Sequence, residues 1–306
     1  MIEKFDIGFA YVWEFDEDFV HKFEEVFHAN NLSTFVIGLH NIEEVKKRIK
    51  EKDLHFNFYF DRAWDVEESF EALGNLLAKR KTHIFNPYKK VLHAIDKATM
   101  HLEFITVGLN VPYSIIIPPV KEKEELFISL SHLAILGRPF IIKPCNTTGG
   151  GIGVVTGAES LHDVLHERKF NHEDKYLLQE KIYPAYLDGK RAWFRVFYAF
   201  GKIIPVWWDD LTHHYQILTS EEIETYNLKK LFQITRTIYN TIELDFFSTE
   251  IVITPQQKFI AIDYVNDQCD LRFQSKHSDG VPDEIIYSII IAAKNRVLKL
   301  KKELRF

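Results

Sequence analysis

The densest chemical signal is Phe140-Ile-Ile-Lys-Pro144 followed by Asn146-Thr-Thr-Gly-Gly-Gly-Ile-Gly-Val154, a lysine ending an apolar strand and then four glycines within five residues. Glycines let backbone N–H groups come close to phosphate oxygens, and a lysine ammonium supplies the countercharge. An unpaired ammonium at the end of an apolar strand is costly, which favours an anionic partner for Lys143. No Gly-Lys-Ser/Thr follows the loop, as a P-loop needs, and no helix follows it, as a dinucleotide fingerprint needs. A second constellation, Trp207-Trp-Asp-Asp-Leu-Thr-His-His-Tyr215, sets aromatics beside acids and paired histidines. It suits a wall of an acceptor pocket, with Asp209 or Asp210 receiving an amine and His213 nearby. Adjacent histidines on a strand point opposite ways, so His213 and His214 do not make a metal pair.

Beyond the loop come Leu178-Gln-Glu-Lys-Ile182, then Arg195 in Phe194-Arg-Val-Phe197 ahead of Gly201-Lys202, then Glu250, and Asp263 with Asn266. In this order and spacing, the stretch from about Asp96 to Arg272 resembles the ATP-grasp superfamily. It is most similar to the branch of glutathione synthetases, D-alanine:D-alanine ligases and ribosomal-protein glutamate ligases. The resemblance implies ATP held between two α+β lobes, preceded by an α/β lobe. It implies Lys97 and Lys143 on the phosphates, Lys143 also near the adenine, and Thr148, Gly149, Gly150, Gly151 and Gly153 closing over the triphosphate. Gln179, Glu180 and Ile182 would meet the adenine edge and Asp188 the ribose. Arg195 would face the γ-phosphate, a role that suits its planar fork. Glu250, Asp263 and Asn266 would hold Mg2+, for which Mn2+ can substitute, as hard oxygen ligands, with Asp267 or Asp270 open as substitutes for Asn266.

The implied activity is an ADP-forming ligation of a carboxylate to an amine or thiol through an acyl phosphate, on small-molecule or peptide substrates. Small-molecule kinases and nucleotide-binding regulators without turnover share the fold and stay open as alternatives. A polyphosphate acceptor would need a dense basic pocket, and only Arg272, Lys276 and His277 offer basic groups at that end. Three departures from the family pattern stand out. Trp193 sits where an acid often precedes the arginine by two residues. Asp263-Tyr-Val-Asn266 is one residue longer than the usual acid, any residue, asparagine. The usual proline-glycine is replaced by Gln268-Cys-Asp-Leu-Arg272, which makes Arg272 a candidate anchor for an anionic substrate. Strict alternation would send Asp263 and Asn266 to opposite faces, so a bulge or strand end near Tyr264 is required.

The elements that must carry these residues are readable from periodicity. Apolar runs at 7–12, 34–38 and 55–60 alternate with charged helical patterns at 17–28 and 42–52, which predicts βαβ units and a parallel sheet. A helix is expected over 88–107, ending at Gly108. Strands 140–143 and 153–156 form a hairpin around the loop. Further strands are expected at 176–182, 193–200, 203–208, 250–253 and 259–263, and helices at 159–168, 220–243 and 284–302. The fold class is therefore α/β plus α+β. An α/β pre-ATP-grasp lobe spans 1–88, a central lobe 89–178, and a C-terminal lobe with the metal carboxylates 179–306.

Bulk composition agrees with this. A chain of 306 residues with 46% hydrophobic content can bury two or three cores. A formal charge of −6 gives no broad basic field, which disfavours nucleic acid or an anionic membrane as partner. Cys145 and Cys269, far apart and in no metal-like spacing, point to a reducing compartment such as the cytoplasm. The N-terminus has no signal-peptide pattern, and apolar runs such as 285–293 fall short of the roughly 20 residues that span a bilayer. Oligomeric state, a homo-oligomer included, stays open.

Overall fold

The computed structural model describes residues 2–146 and 151–304. The first lobe is a doubly covered parallel sheet, ordered β2-β1-β3-β4. Its elements are β1 (Glu3–Tyr11), α1 (Glu17–His28), β2 (Thr34–Ile37), α2 (Ile42–Glu51), β3 (Leu54–Arg62), α3 (Glu68–Ala78) and β4 (His83–Phe85). Of these, α3 and β4 go beyond the elements expected from the sequence. Ile7 and Phe9 of β1 face α1, while Ala10 packs with Val45 and Leu73 of α2 and α3 on the other side. Burial on both faces explains why these strands read as nearly continuous apolar runs.

The helix expected over 88–107 is two helices, α4 (Tyr88–Ile95) and α5 (Lys97–Thr106). Asp96 between them is extended, and its carboxylate accepts from the N–H groups of Ala98 and Thr99 at 3.0 and 3.1 Å. A side-chain cap that satisfies two free N–H groups outweighs continuation of the helix. Lys97 is thereby fixed at the first position of α5. The middle sheet, ordered β5-β8-β6-β7, comprises β5 (Ser114–Ile117), β6 (Phe140–Pro144), β7 (Val155–Ala158) and β8 (Tyr176–Glu180), with α6 (Leu130–Leu136) and α7 (Leu161–Glu167) against it. The pairing of β6 with β7 is antiparallel, as the hairpin expectation requires.

A short hairpin, β9 (Tyr186–Leu187) and β10 (Lys190–Arg191), leads into a five-stranded antiparallel sheet ordered β13-β12-β11-β14-β15. Its strands are β11 (Trp193–Ala199), β12 (Lys202–Trp208), β13 (Tyr215–Ile217), β14 (Phe246–Ile253) and β15 (Phe259–Asn266). The helix expected over 220–243 is also broken, into α8 (Ser220–Thr225) and α9 (Lys229–Ile242), with Asn227 at φ 54° between them. The last element is α10 (Asp283–Leu304). No helix among the described residues is long and apolar enough to cross a membrane.

Core membership shows how the parts join. One cluster runs from β1, α1 and β3 through β11, β12 and α10, so the first and last parts share a core. A second joins α4 and α5 to one face of the five-stranded sheet through α9. The middle sheet has its own smaller core around Ile142, Val164 and Leu178. A buried ion pair ties the first lobe to the last: Arg62 donates to both Asp16 oxygens at 2.8 and 2.9 Å, and to the Cys269 carbonyl at 2.9 Å. Arg62 is 4% exposed and Asp16 1%. Removing one member of such a pair leaves the other charge buried alone. Arg62→Ala should therefore cost about 3–5 kcal/mol, read from urea unfolding.

Candidate active site

One face of the five-stranded sheet looks into the cleft, and strand pairing sets its residues in rows. Arg195 of β11 is opposite Glu250 of β14, which is opposite Asp263 of β15. Two residues along in one direction lies the row Trp193, Val252, Ile260; in the other lies Phe197, Ser248, Asn266. Alternation puts every second residue of a strand on one face, so Ser248 and Glu250 share this face. Their partners Asn266 and Asp263 must then share it too, although they stand three positions apart. The register slip between Ser248 and Glu250 supplies the extra residue, and Tyr264 and Val265 turn into the core on the opposite side. The bulge required by the sequence spacing is present.

In the charged row, Arg195 Nη2 donates to Glu250 Oε1, and the Trp193 indole N–H donates to Glu250 Oε2 at 2.9 Å. The Arg195 guanidinium lies 4.4 Å from the Trp208 ring and 5.9 Å from that of Tyr215. Its Nε is buried without a hydrogen-bond partner among the described residues. Burial works against the Arg195 charge, but Glu250, Tyr215 and Asp263 outweigh it and hold the proton more tightly than usual.

Across the cleft, Lys143 ends β6 and is 8% exposed, with Nζ 3.3 Å from the Ile262 carbonyl. Burial lowers its hold on the proton, Asp263 and Glu250 oppose this, and Lys97 adds to it, so its pKa falls below the ordinary value. Lys143 therefore stands among Lys97, Asp263 and Glu250, with both lysines and both acids converging. Beside them, Ile182, Trp193, Val252, Ile260 and Ile262 form a separate apolar cluster. This floor and the indole contact to Glu250 escaped the sequence reading. Alternation along Trp193-Phe-Arg195 was the available signal, since it puts Trp193 on the arginine's face.

Other expected residues are placed differently. Thr148, Gly149 and Gly150 lie outside the described residues. Gly151 and Gly153 have φ of 70° and 71°, the left-handed backbone that glycine takes without strain. Gln179 is buried, its Nε2 directed to Tyr264 Oη at 3.3 Å and its Oε1 unpartnered among the described residues. Glu180 Oε1 accepts from the Tyr113 N–H at 2.7 Å. Asp188 and Gly189 have φ of 45° and 80°, the two central residues of a type I′ hairpin, and the Asp188 carboxylate accepts from Tyr226 Oη at 2.5 Å. That gives Asp188 a turn-forming task.

Local bonding already engages the acceptor-side candidates. Arg272 is held by Asp270 at 2.8 and 3.0 Å and by Asp279 at 3.0 and 3.2 Å, two carboxylates for one guanidinium. Asp209 accepts from the N–H groups of Leu211 and Thr212 at 2.8 and 2.9 Å, closing a turn instead of facing an amine, and Asp210 is paired with Arg191. His213, at φ 59° in that turn, is exposed and stacks on Trp208 with centroids 5.4 Å apart.

Solved structures superpose on nearly the whole chain. A RimK domain ATP-grasp protein from Sphaerobacter thermophilus has a TM-score of 0.63 at 16% identity, covering 94% of this chain and 98% of that one. A D-alanine–D-alanine ligase from Bacillus anthracis, solved with ATP, has a TM-score of 0.63 at 13% identity, covering 98% and 99%. The chain has the ATP-grasp fold. The macrocyclase MdnC from Microcystis aeruginosa, solved with its precursor peptide MdnA, is also similar, with a TM-score of 0.60 at 13% identity over 93% and 97% of the two chains. No family model and no curated protein sequence matches the chain.

Within this ATP-grasp fold, the donor set suits a hard divalent cation. Among the described residues no group of three or more His, Cys, Asp or Glu side chains gathers for a metal. Glu250 and Asp263 are instead a cross-strand carboxylate pair, with the Asn266 amide on the same face. All three are oxygen donors of the kind magnesium takes alongside phosphate oxygens. Lys143 offers a clean separation of stability from ligand binding. Folding disfavours its charged form, so Lys143→Met should unfold at an equal or higher urea concentration. The same variant should bind ATP about tenfold to a hundredfold more weakly, the worth of one charge-assisted hydrogen bond. Chemical unfolding and calorimetric titration read the two effects independently.

Proposed function

We propose that this chain is an ATP-dependent, ADP-forming ligase that joins a carboxylate to an amine, on small-molecule or peptide substrates. The observation that carries the reading is the convergence of Lys143, Lys97, Arg195, Glu250 and Asp263 beside the apolar floor. The floor suits a flat base, and Ile182 follows the end of β8, where backbone groups would meet its polar rim. One row along, the lysines would take phosphate oxygens, with Glu250, Asp263 and Asn266 holding magnesium. That ion, when bound, would neutralise the terminal phosphates.

Arg195 is suited to the transferring phosphoryl group, since it is pinned between Glu250 and the Trp208 ring with its buried Nε free of a described partner. Charge met where it develops favours breakage at the γ-phosphorus. The carboxylate oxygen forms the new P–O bond and ADP leaves. The amine nitrogen then attacks the acyl carbon, phosphate departs, and the amine proton passes to solvent. Substrates carrying peptide groups would enter beside the exposed His213, which stacks on the half-buried Trp208.

Chromatography of the nucleotide products, after incubation with pools of candidate carboxylates and amines, tests the proposal. ADP with inorganic phosphate, formed only when both substrates are present, is the expected outcome. AMP with pyrophosphate would refute it, and ADP with a stable phosphorylated acceptor would make the chain a kinase.

A further inference from the structure

The Trp193 side chain has two sides, and each touches a different part of the site. Its ring packs with Ile182, Val252, Ile260 and Ile262. Its N–H donates to Glu250 Oε2 at 2.9 Å, across the diagonal between neighbouring strands that pair Trp193 with Val252 and Arg195 with Glu250. Glu250 therefore has one oxygen tied to a neutral donor and the other to the Arg195 guanidinium. The two bonds differ in kind. A half-buried indole has a single N–H, and here it is committed to Glu250, whereas a guanidinium has other N–H groups and a nearby phosphate would compete for it.

We propose that Trp193 is a positioning residue for Glu250, fixing Oε2 so that Oε1 is the oxygen passed between Arg195 and a divalent cation. This rests on the metal reading of Glu250 given above. A carboxylate free to rotate would lose part of its affinity in being ordered, and could close both oxygens on Arg195. Held by the indole, it keeps Oε1 in a fixed direction, bonded to Arg195 in this structure. Partners that orient a metal ligand are typically worth about 10- to 100-fold in metal affinity.

The test measures Mn2+ binding by electron paramagnetic resonance in the presence of a non-hydrolysable ATP analogue. Trp193→Phe keeps a ring on the floor and removes the donor. Its Mn2+ affinity should fall about tenfold, while affinity for the analogue in excess chelator stays within about twofold. Trp193→His, which restores an N–H, should recover part of the loss relative to Trp193→Leu, and this pair reads the same difference if Trp193→Phe does not fold. Glu250→Gln separates the two levels of the proposal. If Glu250→Gln loses Mn2+ binding but Trp193→Phe keeps it, the positioning role is wrong and the metal site stands. If Glu250→Gln also keeps full affinity, the metal reading itself fails and the positioning role with it. Equal losses of Mn2+ and of metal-free analogue in Trp193→Phe would mean that the ring only shapes the floor, and would overturn the proposal.

Discussion

The arrangement of the cleft depends on the pairing of β15 with β14. Two consecutive register slips let β15 spend more residues than its partner, so that Asp263 faces Glu250 and Asn266 faces Ser248. An unbulged strand would bury one of the two oxygen donors in the core and expose Tyr264 in its place. Tyr264 is instead buried, bonded to His101 and Gln179, which ties α5 and the middle sheet to the same bulge. The bulge thus serves the cleft and the joint between lobes with the same few residues.

Around that strand the charges are arranged so that none is stable alone. Arg195 is held by Glu250 and two aromatic rings, and Lys143 is desolvated beside Lys97 yet drawn by Asp263 and Glu250. A buried lysine below its usual pKa and an arginine above its own face each other from two sheets: burial acts on both, while a directly bonded carboxylate compensates only the arginine. An incoming polyanion relieves the lysines and competes for the arginine, so the energetics favour exchange of partners over addition to an empty space. The first lobe is locked to the C-terminal part through a common core and the Arg62 bond to the Cys269 carbonyl, whereas the middle sheet has a separate core.

Much of the site was legible because its chemistry needs rare local patterns. A lysine closing an apolar strand before four glycines is uncommon, and the Asp263-to-Asn266 spacing forced a bulge once both were assigned to one face. The parallel sheet of the first lobe followed from its strand and helix periods. The breaks at Asp96 and Asn227 did not, because each falls inside a continuing apolar period and is decided by a cap or a single left-handed residue. The local partners of Arg272 and Asp209 were hidden for a related reason. Each looks available in a sequence, but Asp270 and Asp279 take the first, and N–H groups two and three residues on take the second. The partner of Glu250 was hidden across two strands, at a position whose residue type pointed to packing.

The row structure of the five-stranded sheet also bears on how such a sequence can change. On β11, Trp193, Arg195 and Phe197 face one way while Phe194, Val196 and Tyr198 enter the core behind the sheet. Over Trp193 to Val196, chemistry and packing are thus written on alternate letters of the same strand, while Phe197 enters the core shared with the first lobe. A substitution in the cleft leaves the packing letters untouched, and a repacked core leaves the cleft geometry in register, since pairing is set by backbone and bulge. Drift on one face need not be matched on the other, so the same architecture can persist at 13–16% identity while the groups that meet the acceptor are exchanged.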